Sequence, residues 1–251
     1  MSHRFRLLAA LIVFGAAVPA PAEEAVTART ILDGAIEALG GARLLTAETA
    51  LAGTSRGTLH LNNMQVPVRN EWTVQGVDQF KWVSVATLND NPSNIVLVLN
   101  KNKAWIKGSD NGANEVPREQ VEMLRQGFAG LRLAENPLPL RGKEYSLSTL
   151  GEIKVDDRLA VGIKAVRKGQ PDLDLFFDKK TRLPVKAIMR IKDLTETDVG
   201  YTATFSAYKA VNGRQFFTKL TVHRDDMLGL EMERADFKAS DKLDAATFDR
   251  P

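Results

Sequence analysis

The chain of 251 residues contains no cysteine. That excludes a disulfide framework, a thiolate metal site and a lipid-bearing N-terminal cysteine. Histidine is scarce, with only His3, His60 and His223. None of these pairs at the H-x-x-x-H spacing that sets two imidazoles on one helix face. The adjacent acids Asp156-Asp157 and Asp225-Asp226 read as turn residues and lack the carboxylate spacing of a calcium loop. No metal site and no cofactor are therefore expected. An excess of one charge is also missing. Lys and Arg total 34 against 31 Asp and Glu, and Arg4 and Arg6 fall in a first segment that has no acid. Beyond residue 22 the balance is 32 to 31, which gives no electrostatic footprint for nucleic acid.

Long apolar runs are rare too, and the one at the start has a specific form. Arg4 and Arg6 precede an uncharged stretch, Leu7–Val18, and Ala20-Pro21-Ala22 then supplies the small-x-small pattern of a cleavage site. The stretch is too short to span a bilayer with normal flanks. Residues 1–22 are read as a secretory signal peptide. Residues 23–251 are read as a single domain that is soluble in the periplasm, with no transmembrane segment in the mature chain.

Strands account for most of the remaining chain. Leu173–Phe177, the polar turn Asp178-Lys179-Lys180-Thr181 and the return Leu183–Lys192 form a predicted hairpin. In the return strand Leu183, Val185, Ala187, Met189 and Ile191 share one face at a period of two. Ala50–Leu61, Met64–Val77, Gln79–Thr87, Ile95–Leu99 and Ala104–Lys107 make an earlier meander, broken at Asn62-Asn63 and at Asn89-Asp90-Asn91-Pro92. Glu152–Val155 and Val161–Lys168 precede the hairpin. Gly200–Val211 (with Tyr201, Ala203, Phe205 and Ala207 on one side), Gln215–Arg224 and Leu228–Lys238 come after it. Asn212-Gly213 is a strong tight-turn signal. Helices are expected at Glu23–Leu39, stopped by Gly40-Gly41, and at Pro117–Leu133, with Val121, Leu124, Phe128 and Leu131 as its apolar stripe. Gly127 and Gly130 weaken the second helix and make it a candidate lid. Ser240 could cap a last turn before Phe248.

The predicted fold class is α+β and mostly antiparallel β. Roughly ten to twelve strands curl into a half-open barrel, because twist accumulates across so wide a sheet. Two or three helices cover the concave face. The aromatic and aliphatic residues Trp72, Phe80, Trp82, Leu97, Leu124, Phe128, Val185, Met189 and Phe205 are the candidates to line an apolar cavity there. Such residues usually fill a core, so the volume left between sheet and helices decides the outcome.

These segments resemble a known family. Ala38-Leu39-Gly40-Gly41 leads into the meander, Phe177-Asp178-Lys179-Lys180-Thr181-Arg182-Leu183-Pro184-Val185-Lys186 forms the hairpin, and Ala210-Val211-Asn212-Gly213-Arg214-Gln215-Phe216 the later turn, with Phe248 near the end. Together they look like the LolA/LolB-like superfamily of periplasmic outer-membrane lipoprotein-sorting proteins. The resemblance implies a half-open barrel whose concavity shelters acyl chains of lipids or lipoproteins, partners in the inner- or outer-membrane sorting machinery, and no catalytic residue. Without the acylated cysteine of the outer-membrane receptors, the chain is closer to a soluble carrier. A non-enzymatic envelope interaction or stress-sensor module on the same scaffold is the alternative.

Enzyme motifs are weak. Gly53-Thr54-Ser55-Arg56-Gly57 matches G-x-S-x-G, the second alternative being a serine hydrolase using Ser55. However, Thr58–Leu61 continues as a strand, where the motif needs a strand-to-helix turn. Ser206-Ala207-Tyr208-Lys209 matches S-x-x-K, yet on a strand these two side chains face opposite ways. His223-Arg224-Asp225 has none of the other kinase motifs. Lys186, Arg190 and Lys192 read as a solvated face that discourages edge pairing, or as a docking strip for acidic head groups.

Overall fold

The computed structural model describes residues 27–61, 64–88, 91–109, 112–192 and 197–251. The expected signal peptide, residues 23–26 of the first expected helix and the Asn62-Asn63 turn lie outside the described residues. Helices α1 (Ala28–Ala38) and α2 (Gly41–Ala47) lead into β1 (Ala50–Leu61), β2 (Met64–Gln75), β3 (Gln79–Leu88), β4 (Asn91–Asn100), β5 (Lys103–Lys107) and β6 (Asn114–Glu115). Helix α3 (Arg118–Glu135) and a 3-10 turn at Leu138–Arg141 come next. Then come β7 (Ser146–Val155), β8 (Arg158–Val166), β9 (Leu173–Asp178), β10 (Pro184–Lys192), β11 (Asp198–Val211), β12 (Arg214–Arg224) and β13 (Met227–Ser240), with a closing 3-10 turn at Ala245–Phe248.

Among the described residues the thirteen strands form one curved, open antiparallel sheet, in the order β6-β5-β4-β3-β2-β1-β13-β12-β11-β10-β9-β8-β7. Every pair of neighbours is consecutive in the chain except β1 and β13. Two meanders therefore grow outward from that seam, and β6 and β7 are the free edges. Helix α3 joins β6 to β7, so the chain must return from one edge of the sheet to the other over a face. This connection places α3 across the concave side.

The seam depends on close backbone approach. β1 pairs with β13 through a bulge between Gly53 and Ser55. A Cβ on Gly53 would stand 2.4 Å from Asp236 O, and one on Gly57 would stand 2.1 Å from Glu231 O. The glycines of the G-x-S-x-G match thus serve strand packing. Ser55 lies mid-strand, 4% exposed, and accepts a hydrogen bond from Asn70 Nδ2 at 3.2 Å.

Helix α1 forms because Ile31, Leu32, Ala35 and Ile36 recur at helical spacing and bury one stripe in the main core, against Ile163, Leu175 and Phe177 of the sheet. Thr27 caps it, its side chain accepting from Thr30 N at 3.1 Å. Gly40, at φ 122°, ends the helix, but the chain then turns into α2, which propensity alone did not suggest.

Several local expectations need correction. A bulge between Pro184 and Lys186 interrupts the alternation of β10. Val185 consequently packs with Val155, Ala160 and Phe176, on the face opposite Ala187, Met189 and Ile191. It cannot line a concave cavity. Ala207 adopts φ 53° and is exposed, so Tyr208 replaces it on the inner face and donates its hydroxyl to Pro184 O at 2.7 Å. Strand β4 begins at Asn91, inside the expected turn. Ser240 ends β13 and caps nothing; Asp244 caps the last turn, its carboxylate accepting from Ala246 N at 3.0 Å.

The seam yields a prediction. Gly57→Ala forces a methyl group into backbone rather than a movable side chain, and should cost about 1–3 kcal/mol. Urea unfolding monitored by circular dichroism measures it, and an unchanged midpoint would contradict the close approach.

Candidate functional site: a cavity under helix α3

Helix α3 is buried unevenly along its length. Arg118 and Glu119 are exposed, residues 122–129 are half-buried, and Arg132, Leu133, Ala134 and Glu135 are all buried. Pro117 precedes the helix as its N-cap residue and is not its first member. The helix is continuous through both glycines. Gly130 lets the helix approach β10, since a Cβ there would stand 1.8 Å from Met189 Cε, whereas a Cβ at Gly127 would make an ordinary contact, 3.6 Å from Ile191 Cδ1.

The C-terminal turn of α3 carries a buried charge cluster. Glu135, 2% exposed, receives hydrogen bonds from Arg132 Nη1 of its own helix and from Arg234 Nη1 of β13. Arg132 also donates from Nε to Gly76 O at 3.0 Å. Arg214, fully buried, donates to Glu48 O at 2.5 Å and to Glu135 O at 3.4 Å. The helix end is therefore tied to β13, to the β2–β3 turn and to the start of β12. Burial pushes the Glu135 carboxyl upward, but the charges of Arg234, Arg132 and Arg214 prevail and hold it at about 2. Burial draws Arg214 down to about 10. The Arg234 guanidinium is sandwiched between rings, 4.1 Å from the Phe217 centroid and 4.7 Å from that of Trp72.

Between this anchor and the exposed start of α3 lies a cavity of about 390 Å³. Six of the expected residues meet there: Trp72 from β2, Phe80 and Trp82 from β3, Leu97 from β4, and Leu124 and Phe128 from α3. Phe128 stacks on Phe80 with centroids 4.8 Å apart, so helix and sheet touch at that point. Alternation explains the wall: Trp72 and Val74 share a face of β2, and Trp72 pairs in register with Trp82, which pairs with Leu97. Three expected residues lie elsewhere. Val185 is on the opposite face, Met189 wedges under Gly130 on the far side of α3, and Phe205 is fully buried in solid core against Phe217.

On the opposite wall Tyr201 lies on its expected apolar face, whereas Phe217, Leu220, Val222, Leu230 and Met232 were missed, as were Arg132, Glu135 and Arg234. A signal for Arg234 existed. Leu228, Leu230, Met232 and Arg234 alternate along β13, which puts an arginine in an otherwise apolar row. Among the described residues no group of histidine and acidic side chains could hold a metal ion. No described helix is long and apolar enough to cross a membrane.

An open antiparallel sheet curled round a crossing helix, with an apolar cavity between the two, defines a class of half-barrel proteins. The fold is that of the LolA superfamily. A LolA superfamily protein from Nitrosomonas europaea aligns over 90% of this chain and 99% of its own, at 14% identity and a TM-score of 0.56. A domain from Vibrio parahaemolyticus described as an outer membrane lipoprotein-sorting protein aligns over 88% of this chain and 97% of its own, at 13% identity and 0.54. A DUF1329 family protein from Desulfovibrio piger aligns over 88% and 97%, at 12% identity and 0.56. No protein-family model matches the sequence, and no curated protein matches it.

The Glu135 cluster has a pH signature. A carboxyl group held at about 2, against 4.5 in the unfolded chain, contributes stability above pH 4.5 that is lost as the pH falls toward 2. The shift corresponds to about 3 kcal/mol. Glu135→Gln should destabilise the protein by about 3–5 kcal/mol at pH 7, because the arginines lose their buried counter-charge. The gap between variant and wild type should narrow between pH 4.5 and 2. Urea midpoints across that range test this, and a gap independent of pH would refute it.

Proposed function

We propose that this protein is a non-enzymatic periplasmic carrier that shelters an acyl chain of a lipid or lipoprotein in the cavity under α3. The observation that carries the reading is an unfilled, aromatic-walled volume of about 390 Å³ inside a folded sheet. Packed interiors seldom leave such space, whereas ligand pockets span about 300–1,000 Å³. The fold relation to a domain described as a lipoprotein-sorting protein supports it. The periplasmic assignment rests on the signal-like segment Ser2–Ala22.

The mechanism is transfer of apolar surface from water to a preformed wall. Each buried methylene contributes about 0.8 kcal/mol, so one chain supplies useful affinity with few polar contacts. Entry and release use the half-buried stretch 122–129 of α3, where Leu124 and Phe128 close over Phe80 and Trp82. The hydrolase reading finds no support at Ser55, whose hydroxyl lies in a continuous strand beside Asn70.

Native mass spectrometry of the purified protein should show a co-purifying lipid, and the delipidated protein should take up a fluorescent fatty acid. Phe128→Asp, which puts a charge into the Phe80 stack, should weaken that uptake about tenfold or more with the fold intact by circular dichroism. Absence of both bound lipid and uptake in the wild type would remove the carrier reading.

A further inference from the structure

The cavity wall is not electrically neutral. Arg132 and Arg234 both line it, but Glu135 is the one carboxylate that lines it with them. Arg214 and the half-buried Glu48 lie outside the lining, and Arg214 draws first on Glu135 and less on Glu48 for its counter-charge. One surplus cationic charge is left at an apolar wall, and an uncompensated buried charge is costly. Donors are left over as well. A guanidinium carries several N–H groups, yet among the described residues Arg234 makes one hydrogen bond, to Glu135, and its Nε has no partner. The indole nitrogens of Trp72 and Trp82 are likewise buried, and no acceptor lies within reach of them. Native structures rarely leave so many buried donors around one space, and each such donor needs an explanation.

We propose that the cavity is built for an amphiphile with a single anionic head, a carboxylate or a phosphate monoester, seated against Arg234. This rests on the carrier reading and specifies its cargo. An oxyanion there would balance the surplus charge and accept from Arg234 and the indole N–H groups once small side-chain shifts open them to it. Its tail would run from the charged end of α3 toward Tyr201, Val222 and Leu230, near the opposite ends of their strands. The volume sits at the low end of the pocket range, which suits one chain with one head. An uncharged acyl glyceride or ester would leave the cation without its counter-charge.

Titration of the delipidated full chain, followed by tryptophan emission, separates the possibilities. Palmitic acid and methyl palmitate share a tail and differ in head charge, and lysophosphatidic acid and lysophosphatidylcholine test the phosphate arm. At least one anionic member should bind about tenfold or more tighter than its uncharged or zwitterionic partner. Arg234→Gln should abolish that preference, and Arg234→Lys should retain part of it. If Arg234→Gln does not fold, Trp82→Phe, which removes the indole donor but keeps an aromatic ring, should still reduce the preference. Preference for palmitic acid alone identifies a fatty acid head, and preference for lysophosphatidic acid alone a phosphate head. Equal binding of acid and ester, or a preference untouched by Arg234→Gln, overturns this proposal and leaves the carrier reading standing. Binding of none of the four removes both.

Discussion

A single buried carboxylate, Glu135, joins helix α3 to the sheet, gripped by Arg132 from its own helix and by Arg234 from β13. Taking these charges out of water is expensive, and one carboxylate shared by two arginines offsets only part of that cost. The cluster therefore fixes geometry more than it adds stability. It holds one end of α3 at a set height over the concave face, while Gly130 lets the helix seat directly on Met189. Near the other end Val121 is buried with Leu99, Ala104 and Val116, and the cavity is lined by the stretch of helix between these two points.

Topology makes this arrangement necessary. Only the β1–β13 pairing joins segments distant in the chain, and it brings Arg234 beside Ser55 in the middle of the sheet. The two meanders then end at opposite edges, so the connection between β6 and β7 has to span the concavity. Few other routes cover so wide a curled sheet with one helix. The long-range seam and the crossing helix thus depend on each other: β13 supplies the arginine that anchors α3, and α3 closes the face that β1 and β13 leave apolar.

Much of the architecture was legible because strand alternation is a local signal. Trp72, Phe80, Trp82 and Leu97 fall on one face by period two, and Leu124 and Phe128 on one face by helical period. Alternation fails where an extra residue enters a strand. The bulge before Lys186 reversed Val185, and the left-handed residue Ala207 turned itself out and Tyr208 in. Met189 and Phe205 were on the right face but under solid packing, which depends on the height of the helix above each strand. The charge cluster was illegible for a different reason. Arg132, Glu135, Arg214 and Arg234 are spread over a hundred residues of chain, and only the folded seam brings them together.

Helix α3 is pinned at its C-terminal turn and only half-buried over residues 122–129, and the cavity depends on that difference. Hydrogen–deuterium exchange along the helix measures it directly. Amides of residues 130–135 should exchange only on global unfolding, and those of residues 122–127 markedly faster, through local opening. Uniform protection along the helix, or faster exchange at the Glu135 end, would contradict the arrangement.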